Sequence, residues 1–360
     1  MRMKKLLFAT CCIAFWGGSL GAAAQKKSAT KNVLTQTLKG KSWSADNGNG
    51  TFTNPLFYDE FSDPDIIRVG EDYYLAGTTM HSVPGLVVLH SKDLVNWEFS
   101  SYCFDRFDDS DDFNLRNGKE AYGQGIWAPA IRYHNGKFYI FSNINGHGLQ
   151  VYISDSAKGP WTHHKINGDI YDLSVLFDED GKIYAVHKYG NVTVTELKPD
   201  LSGPVEGSSK VVIPEGNAMG EGHHVYKING MYYILSADYS PMGRMQCARS
   251  KSIWGPYETC VISERESYGY AAGWSVGNMG IGRPLPEDGF KFQNNQPNGL
   301  NLGCATIHQG GIVQAPDGKW WGVSMQDFNA VGRTVCLSPI TWVDGWPYFG
   351  LEKNLGRSPR

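Results

Sequence analysis

Apolar and polar positions alternate along this chain in short runs that come in pairs, each pair joined by a turn. Five stretches share the pattern: DPDIIRVGEDYYLAG from Asp63, WAPAIRYHNGKFYIF from Trp127, DLSVLFDEDGKIYAV from Asp172, EGHHVYKINGMYYIL from Glu221 and HQGGIVQAPDGKWWGV from His308. A period of two predicts half-buried strands. The turns Asn135-Gly136, Asp180-Gly181, Asn229-Gly230 and Asp317-Gly318 are strong hairpin signals, because both turn positions favour positive φ. A third strand follows each hairpin: VVLHSKDLVNW, LQVYISDSAKGPW, VTVTELKPDLSG, MQCARSKSIWGPY and RTVCLSPITWVDGWP. Every unit therefore predicts a small antiparallel sheet.

Several strands repeating at a period of roughly 45 residues are the mark of a propeller blade, with two intervals stretched by insertions at 102–126 and 258–303. The reading is all-β, a five-bladed β-propeller, because a blade cannot bury both faces alone and packing blade on blade solves that. From lead residue to the aromatic or apolar pair (Tyr73, Phe138, Ile183, Tyr232, Trp320) the spacing is 10, 11, 11, 11 and 12 residues. The lead positions are accordingly expected to be equivalent and to face a common axis, which would gather Asp63, Asp172 and Glu221 in one site.

Composition narrows the class. The 360 residues carry a net charge of only -3, which argues against nucleic acid as a partner. No apolar run after the N-terminal segment is long enough to span a membrane. Residues 1–24 read as a signal peptide: Arg2, Lys4 and Lys5, then the run LLFATCCIAFW, then Ala22-Ala23-Ala24, the order expected of an export signal. The protein is thus expected to be exported, to the periplasm or the extracellular space. Residues 25–50 read as a flexible leader, 51–350 as the propeller and 351–360 as a C-terminal tail. Past the signal, Cys103, Cys247, Cys260, Cys304 and Cys336 have neither zinc-site spacing nor a disulfide framework, and Cys247 with Cys260 is the one pair worth testing. The acidic run Asp108 to Asp112 lacks the alternating ligands of a calcium loop and reads as a solvated face.

Hydrolysing a glycosidic bond needs one carboxylic acid to protonate the leaving oxygen and one carboxylate to activate water or attack carbon. Three carboxylates in one register supply both. A single Asp at a strand start is more simply a turn cap; three acids at matching offsets are harder to assign to turn chemistry. Asp65, on the same strand face as Asp63, is the runner-up base.

The segments NPLFYDEFSDPDIIRVGEDYYLAGTT, VLHSKDLVNW, GIWAPAIRYHNGKFYIF, YDLSVLFDEDGKIYAV, GEGHHVYKINGMYYILSA and VGRTVCLSPITWVDGWP together resemble glycoside hydrolase family 43, the β-xylosidases and α-L-arabinofuranosidases, over roughly residues 54 to 350. The resemblance implies a five-bladed propeller that hydrolyses with inversion. Asp63 would be the general base, Asp172 the residue that tunes and orients the acid, and Glu221 the general acid, with an ionised Asp172 raising the pKa of Glu221. Arg333 resembles the family's channel arginine. His308 matches a position that in some relatives holds a calcium or a water cluster, the alternative being a hydrogen-bonded core histidine. Trp127, His308 and Arg333 are the candidate substrate-binding residues. No cofactor is expected to be required, and a calcium in the central channel is the one metal candidate. Three departures bear on the sugar subsite: the loop TTMHSVPG has Met80, His81 and Ser82 where many relatives carry aromatics, His223 stands where a proline commonly follows the Glu-Gly pair, and the chain stops at Arg360 where two-domain relatives continue into a β-sandwich.

The function expected is an exo-acting inverting hydrolase that releases xylose, arabinose or both from xylan, arabinoxylan or arabinan fragments, plant-derived oligosaccharide or polysaccharide being the partner. The alternatives are a non-catalytic sugar-binding propeller, which has no need of an acid and base pair, and a propeller glycoside phosphorylase, which would need a cationic phosphate pocket.

Overall fold

A computed structural model describes residues 44–79, 83–107, 110–121, 123–168, 170–217, 219–239, 242–263, 309–327 and 333–352. The expected signal peptide, the leader up to residue 43, Met80 to Ser82, Cys304 and His308 lie outside the described residues. Five four-stranded antiparallel sheets make up the fold, each a meander in which neighbours in sequence are neighbours in space. Blade 1 holds β1 (Ser62–Val69), β2 (Asp72–Thr78), β3 (Gly85–Ser91) and β4 (Trp97–Phe104); blade 2 holds β5 (Ile126–His134), β6 (Lys137–Ile144), β7 (Gly148–Ser154) and β8 (Thr162–Lys165). Blade 3 is β9 (Ser174–Phe177), β10 (Ile183–His187), β11 (Val192–Leu197) and β12 (Lys210–Ile213), and blade 4 is β13 (Glu221–Ile228), β14 (Met231–Tyr239), β15 (Met242–Ser250) and β16 (Glu258–Ser263). Blade 5 comprises β17 (Ile312–Gln314), β18 (Trp320–Asp327), β19 (Arg333–Val343) and β20 (Trp346–Phe349). Among the described residues there is no helix, and the protein is the five-bladed β-propeller its repeats predict.

The hairpin turns follow from their residues. Asn135-Gly136 and Asn229-Gly230 have positive φ at both positions, as a two-residue turn matched to strand twist requires. Blades 3 and 5 use the longer loops Asp178 to Lys182 and Ala315 to Lys319, where only Gly181 and Gly318 take positive φ.

The core lies between blades in five apolar layers. Leu86 and Val88 of blade 1 meet Ile131 and Ile140 of blade 2. Phe141 and Val151 meet Val175 and Ala185, Val186 and Val194 meet Val225 and Ile234, and Leu235 and Cys247 meet Ile312 and Phe349. Leu75, Val323 and Val335 fill the layer between blades 5 and 1. Because both faces of every sheet are covered, the middle strands read as near-continuous apolar runs.

The ring closes by backbone pairing at that last junction. Leu56 N donates to Val335 O and Phe61 N to Arg333 O, both at 2.8 Å, while the Asn54 amide accepts from Leu337 N at 2.9 Å and donates to Leu337 O at 3.0 Å. The segment ahead of blade 1 thereby satisfies an edge of β19 that would otherwise stay unpaired. Ala45 is buried in the same layer, so packed structure begins ahead of residue 51. Cys247 and Cys260, the pair singled out from the sequence, are partners across β15 and β16, and both are free thiols.

Candidate active site

A bulge at the start of the inner strand in blades 1, 2 and 4 helps build the site. Blade 1 pairs Ser62 with Thr78 and then Asp65 with Ala76, blade 2 pairs Trp127 with Asn143 and then Ala130 with Phe141, and blade 4 pairs Glu221 with Ala237 and then His224 with Leu235. One extra residue is accommodated each time, and the bulged residue takes the left-handed conformation: φ is 50° at Asp63, 37° at Ala128 and 65° at Gly222. Asp172 (53°) and Gln309 (48°) do the same ahead of β9 and β17. The left-handed region costs an L-residue energy and Asp tolerates it better than most, so its recurrence at a cavity marks a functional constraint. At Gly222 a Cβ would lie 2.2 Å from Gln309 Cγ, so any larger residue would have to displace that side chain besides holding a left-handed φ.

The register corrects the expected equivalence of Asp63, Trp127, Asp172, Glu221 and His308. Residues five positions before Arg68, Tyr133, Phe177, Lys227 and Gln314, which face Tyr73, Phe138, Ile183, Tyr232 and Trp320 across the hairpins, are Asp63, Ala128, Asp172, Gly222 and Gln309. Trp127 and Glu221 stand one position earlier, level with Ser62 and Tyr171. The raw spacings hid this shift, because the longer turns of blades 3 and 5 add residues of their own.

The gathering itself is as expected. One cavity of about 260 Å³ is lined by Asp63, Trp127, Asp172, Glu221 and Arg333, and also by Ala128, Asn143, Asn145, Tyr171, Gln309 and Gly123. Asp63 Oδ2 accepts from Thr78 Oγ1 at 2.5 Å, and Arg333 Nη1 lies 3.7 Å from Asp63 Oδ1. Asp172 Oδ2 accepts the Gly222 N–H at 2.8 Å, and Tyr171 OH donates to Glu221 Oε2 at 3.0 Å. Asp63 and Asp172 are buried.

Burial pushes the Asp172 carboxyl well above the usual range, with the charges of Glu221 and Asp63 adding and the Gly222 N–H and Arg333 opposing. Glu221 is raised as well, first by burial and then by the charge of Asp63, against the Tyr171 hydrogen bond and Arg333. Like charges resist joint ionisation from both sides, so Asp172 and Glu221 oppose each other's ionisation, as expected of the pair, and the charge of Asp63 adds to this at both groups.

Asp65 is not available as a base. It is only 1% exposed, accepts from Arg132 Nη1 at 2.5 Å, Ile131 N at 2.9 Å and Ile66 N at 3.0 Å, and meets His224 Nδ1 at 3.1 Å. Burial alone would raise its pKa, but Arg132 and His224 outweigh that and hold it below the usual carboxylate range. Arg132 also donates to Val175 O and Ser174 Oγ, so this network ties blades 1, 2, 3 and 4 together around the axis. His223, at the expected proline position, is buried between Ser236 Oγ and Lys188 O, and burial drops its pKa to about 4.

Sequence reasoning missed Tyr171, Thr78, Gln309, Asn143 and Asn145. Tyr171 had a signal, its place immediately before Asp172; Thr78 and Asn143 lie on second strands and Asn145 in the turn after one, and only the cross-strand register brings Thr78 to Asp63 and the asparagines to the cavity. The candidate calcium or water position at His308 is outside the described residues, among which no group of three or more His, Cys, Asp or Glu is arranged to hold a metal.

Residues 52–269 match the family model described as glycosyl hydrolases family 43. A β-xylosidase of Formosa agariphila is 30% identical over 92% of this chain and 56% of its own length. A non-reducing end α-L-arabinofuranosidase of Bacteroides ovatus is 34% identical over 84% of this chain and 54% of its own. Among solved structures, a bifunctional GH43-CE protein of Bacteroides eggerthii superposes with a TM-score of 0.70 at 34% identity, covering 85% of this chain and 36% of that one. The chain spans about half the length of the curated relatives it matches.

Proposed function

The chain belongs to glycoside hydrolase family 43, and on that premise we propose that it is an exo-acting inverting glycoside hydrolase releasing xylose or arabinose from plant-derived xylan, arabinoxylan or arabinan fragments. The observation that carries this reading is the convergence of Asp63, Asp172 and Glu221 on one cavity small enough to enclose a terminal sugar. Asp63 acts as general base. Its Oδ2 is occupied by Thr78, which leaves Oδ1 to take the proton of the attacking water. Glu221 acts as general acid: burial and the charge of Asp63 favour its protonated form, as a proton donor to the leaving oxygen requires. Asp172 orients the acid, holding the N–H of Gly222 next to Glu221 in sequence. The xylosidase and arabinofuranosidase named above support the substrate class. Among the described lining residues Arg333 is the one cationic side chain, and it already faces Asp63, which favours water over phosphate as the nucleophile. Export rests on the N-terminal segment 1–24 as an expected signal peptide.

The test is hydrolysis of p-nitrophenyl β-xyloside against p-nitrophenyl α-L-arabinofuranoside, with the anomer of the first-formed sugar followed by NMR. Turnover of one or both with inversion is expected, with a bell-shaped dependence on pH. Glu221→Gln should lose natural glycosides while sparing the activated phenol, whose departure needs little protonation, and Asp63→Asn should lose both. A retained anomer, or an Asp63→Asn variant that keeps the activated substrate, would overturn the roles.

A further inference from the structure

Tyr171 stands outside the acid and base assignment, yet it touches the acid. It directly precedes Asp172, occupies in blade 3 the register position that Glu221 occupies in blade 4, and is about 40% exposed at the cavity. Its hydroxyl reaches across the blade junction to donate to Glu221 Oε2 at 3.0 Å.

We propose that Tyr171 is a positioning residue for the acid, its hydroxyl occupying Glu221 Oε2 so that the proton delivered to the leaving oxygen is carried on Oε1. The inference rests on the reading of Glu221 as the acid. A phenol that donates to one carboxyl oxygen fixes the rotation of that carboxyl, and it favours the ionised form, since that form accepts the stronger hydrogen bond. The groups facing Glu221 then fall into two sets. Asp63 from blade 1 opposes its ionisation, and Arg333 from β19 of blade 5 and Tyr171 from blade 3 favour it. Asp172, also from blade 3, is lifted by Glu221 and reaches the acid's strand through Gly222. Burial without Tyr171 would hold the proton too tightly to be given up readily. The tyrosine offsets this from the partly exposed side of the cavity. Its own hydroxyl stays protonated throughout, because burial and the charge of Glu221 push its pKa upward.

The decisive variant is Tyr171→Phe, which deletes one oxygen at a half-exposed ring and should leave folding intact, as circular dichroism and Tm would verify. The pH dependence of kcat is measured on xylobiose or an arabino-oligosaccharide and on the matching p-nitrophenyl glycoside. The expected result is a basic limb moved upward on the order of one pH unit, the scale of one hydrogen bond to a charged group. A roughly tenfold fall in kcat on the unactivated sugar should accompany it, with a smaller fall on the activated one. A limb that stays in place, or equal losses on both substrates, would overturn the inference. Glu221→Gln is run in parallel: if it spares the unactivated sugar, the assignment of the acid itself fails; if it abolishes that activity while Tyr171→Phe leaves the limb unmoved, only the role of Tyr171 fails.

Discussion

Thr78 Oγ1 stands between two blades and orients Asp63. It accepts the N–H of Ala128 at 2.8 Å and donates to Asp63 Oδ2 at 2.5 Å. Ala128 is the left-handed bulge residue of blade 2 and Asp63 that of blade 1, so one buried hydroxyl couples two equivalent bulges. With its lone pair engaged by an amide, the hydroxyl has its proton directed at the carboxylate. Asp63 Oδ1 is left for Arg333 and the cavity.

Thr78→Val keeps the shape and removes this hydroxyl, leaving a carboxylate oxygen and an amide unsatisfied. A hydrogen bond to a charged group is worth about 1.5–3 kcal/mol, so kcat should fall roughly ten- to a hundredfold with KM little changed. Thr78→Ser should restore most of the loss. Steady-state kinetics on all three proteins checks this, and a serine variant as impaired as the valine one would contradict it.

Asp172 should act more through its hydrogen bond than through its charge. Asn at this position can still accept the Gly222 N–H and tolerates φ near 53°, whereas Ala can do neither. Asp172→Asn is therefore expected to keep clearly more activity on an unactivated glycoside than Asp172→Ala. Equal loss in the two variants would place the role in the negative charge instead.

Arg132→Met should destabilise the fold without touching the cavity wall. It strands the ionised, fully buried Asp65, and breaking a buried ion pair from one side costs about 3–5 kcal/mol. Denaturant unfolding measures the loss. A change under about 1 kcal/mol, the range of an exposed pair, would show that His224 and the backbone amides suffice to hold Asp65.

Acid should weaken the fold through two buried histidines. Burial lowers both His187 and His223 to about 4 from the ordinary 6.5. Between those pH values the unfolded chain binds more protons than the folded one, so stability rises with pH. It should be fully present above about pH 6.5 and decline as the pH falls towards 4. Tm measured across this window should fall steadily, and His223→Gln should flatten the slope. A slope that the substitution leaves unchanged would exclude His223 as a contributor.

Much of the molecule was legible beforehand because the deciding signals are local. Asn135-Gly136 and Asn229-Gly230 forced hairpins where they stand, and Asp63 and Asp172 led their repeats. The cavity joins residues from all five blades, from Asp63 to Arg333, which no local signal orders. Two readings went astray for that reason. Asp65 was placed on the same strand face as Asp63, as the runner-up base, but the bulge turns Asp63 towards the cavity and Asp65 into the ion pair with Arg132. Glu221 looked level with Asp63, although Gly222 holds that place.

The sequence by itself determined the five blades and the three carboxylates. Short apolar strand runs and turn chemistry are written within a dozen residues, and acid or base capacity belongs to the residue type. Which oxygen of Asp63, Asp172 and Glu221 accepts which hydrogen bond, that burial lifts Asp172 and Glu221, and that Thr78 and Tyr171 hold Asp63 and Glu221 were decided by the tertiary structure alone. Those properties arise from a one-residue bulge in blades 1, 2 and 4 and from hydroxyls that reach across strands and between blades. Each contact needs two distant segments in register, and burial sets the size of every charge effect between them.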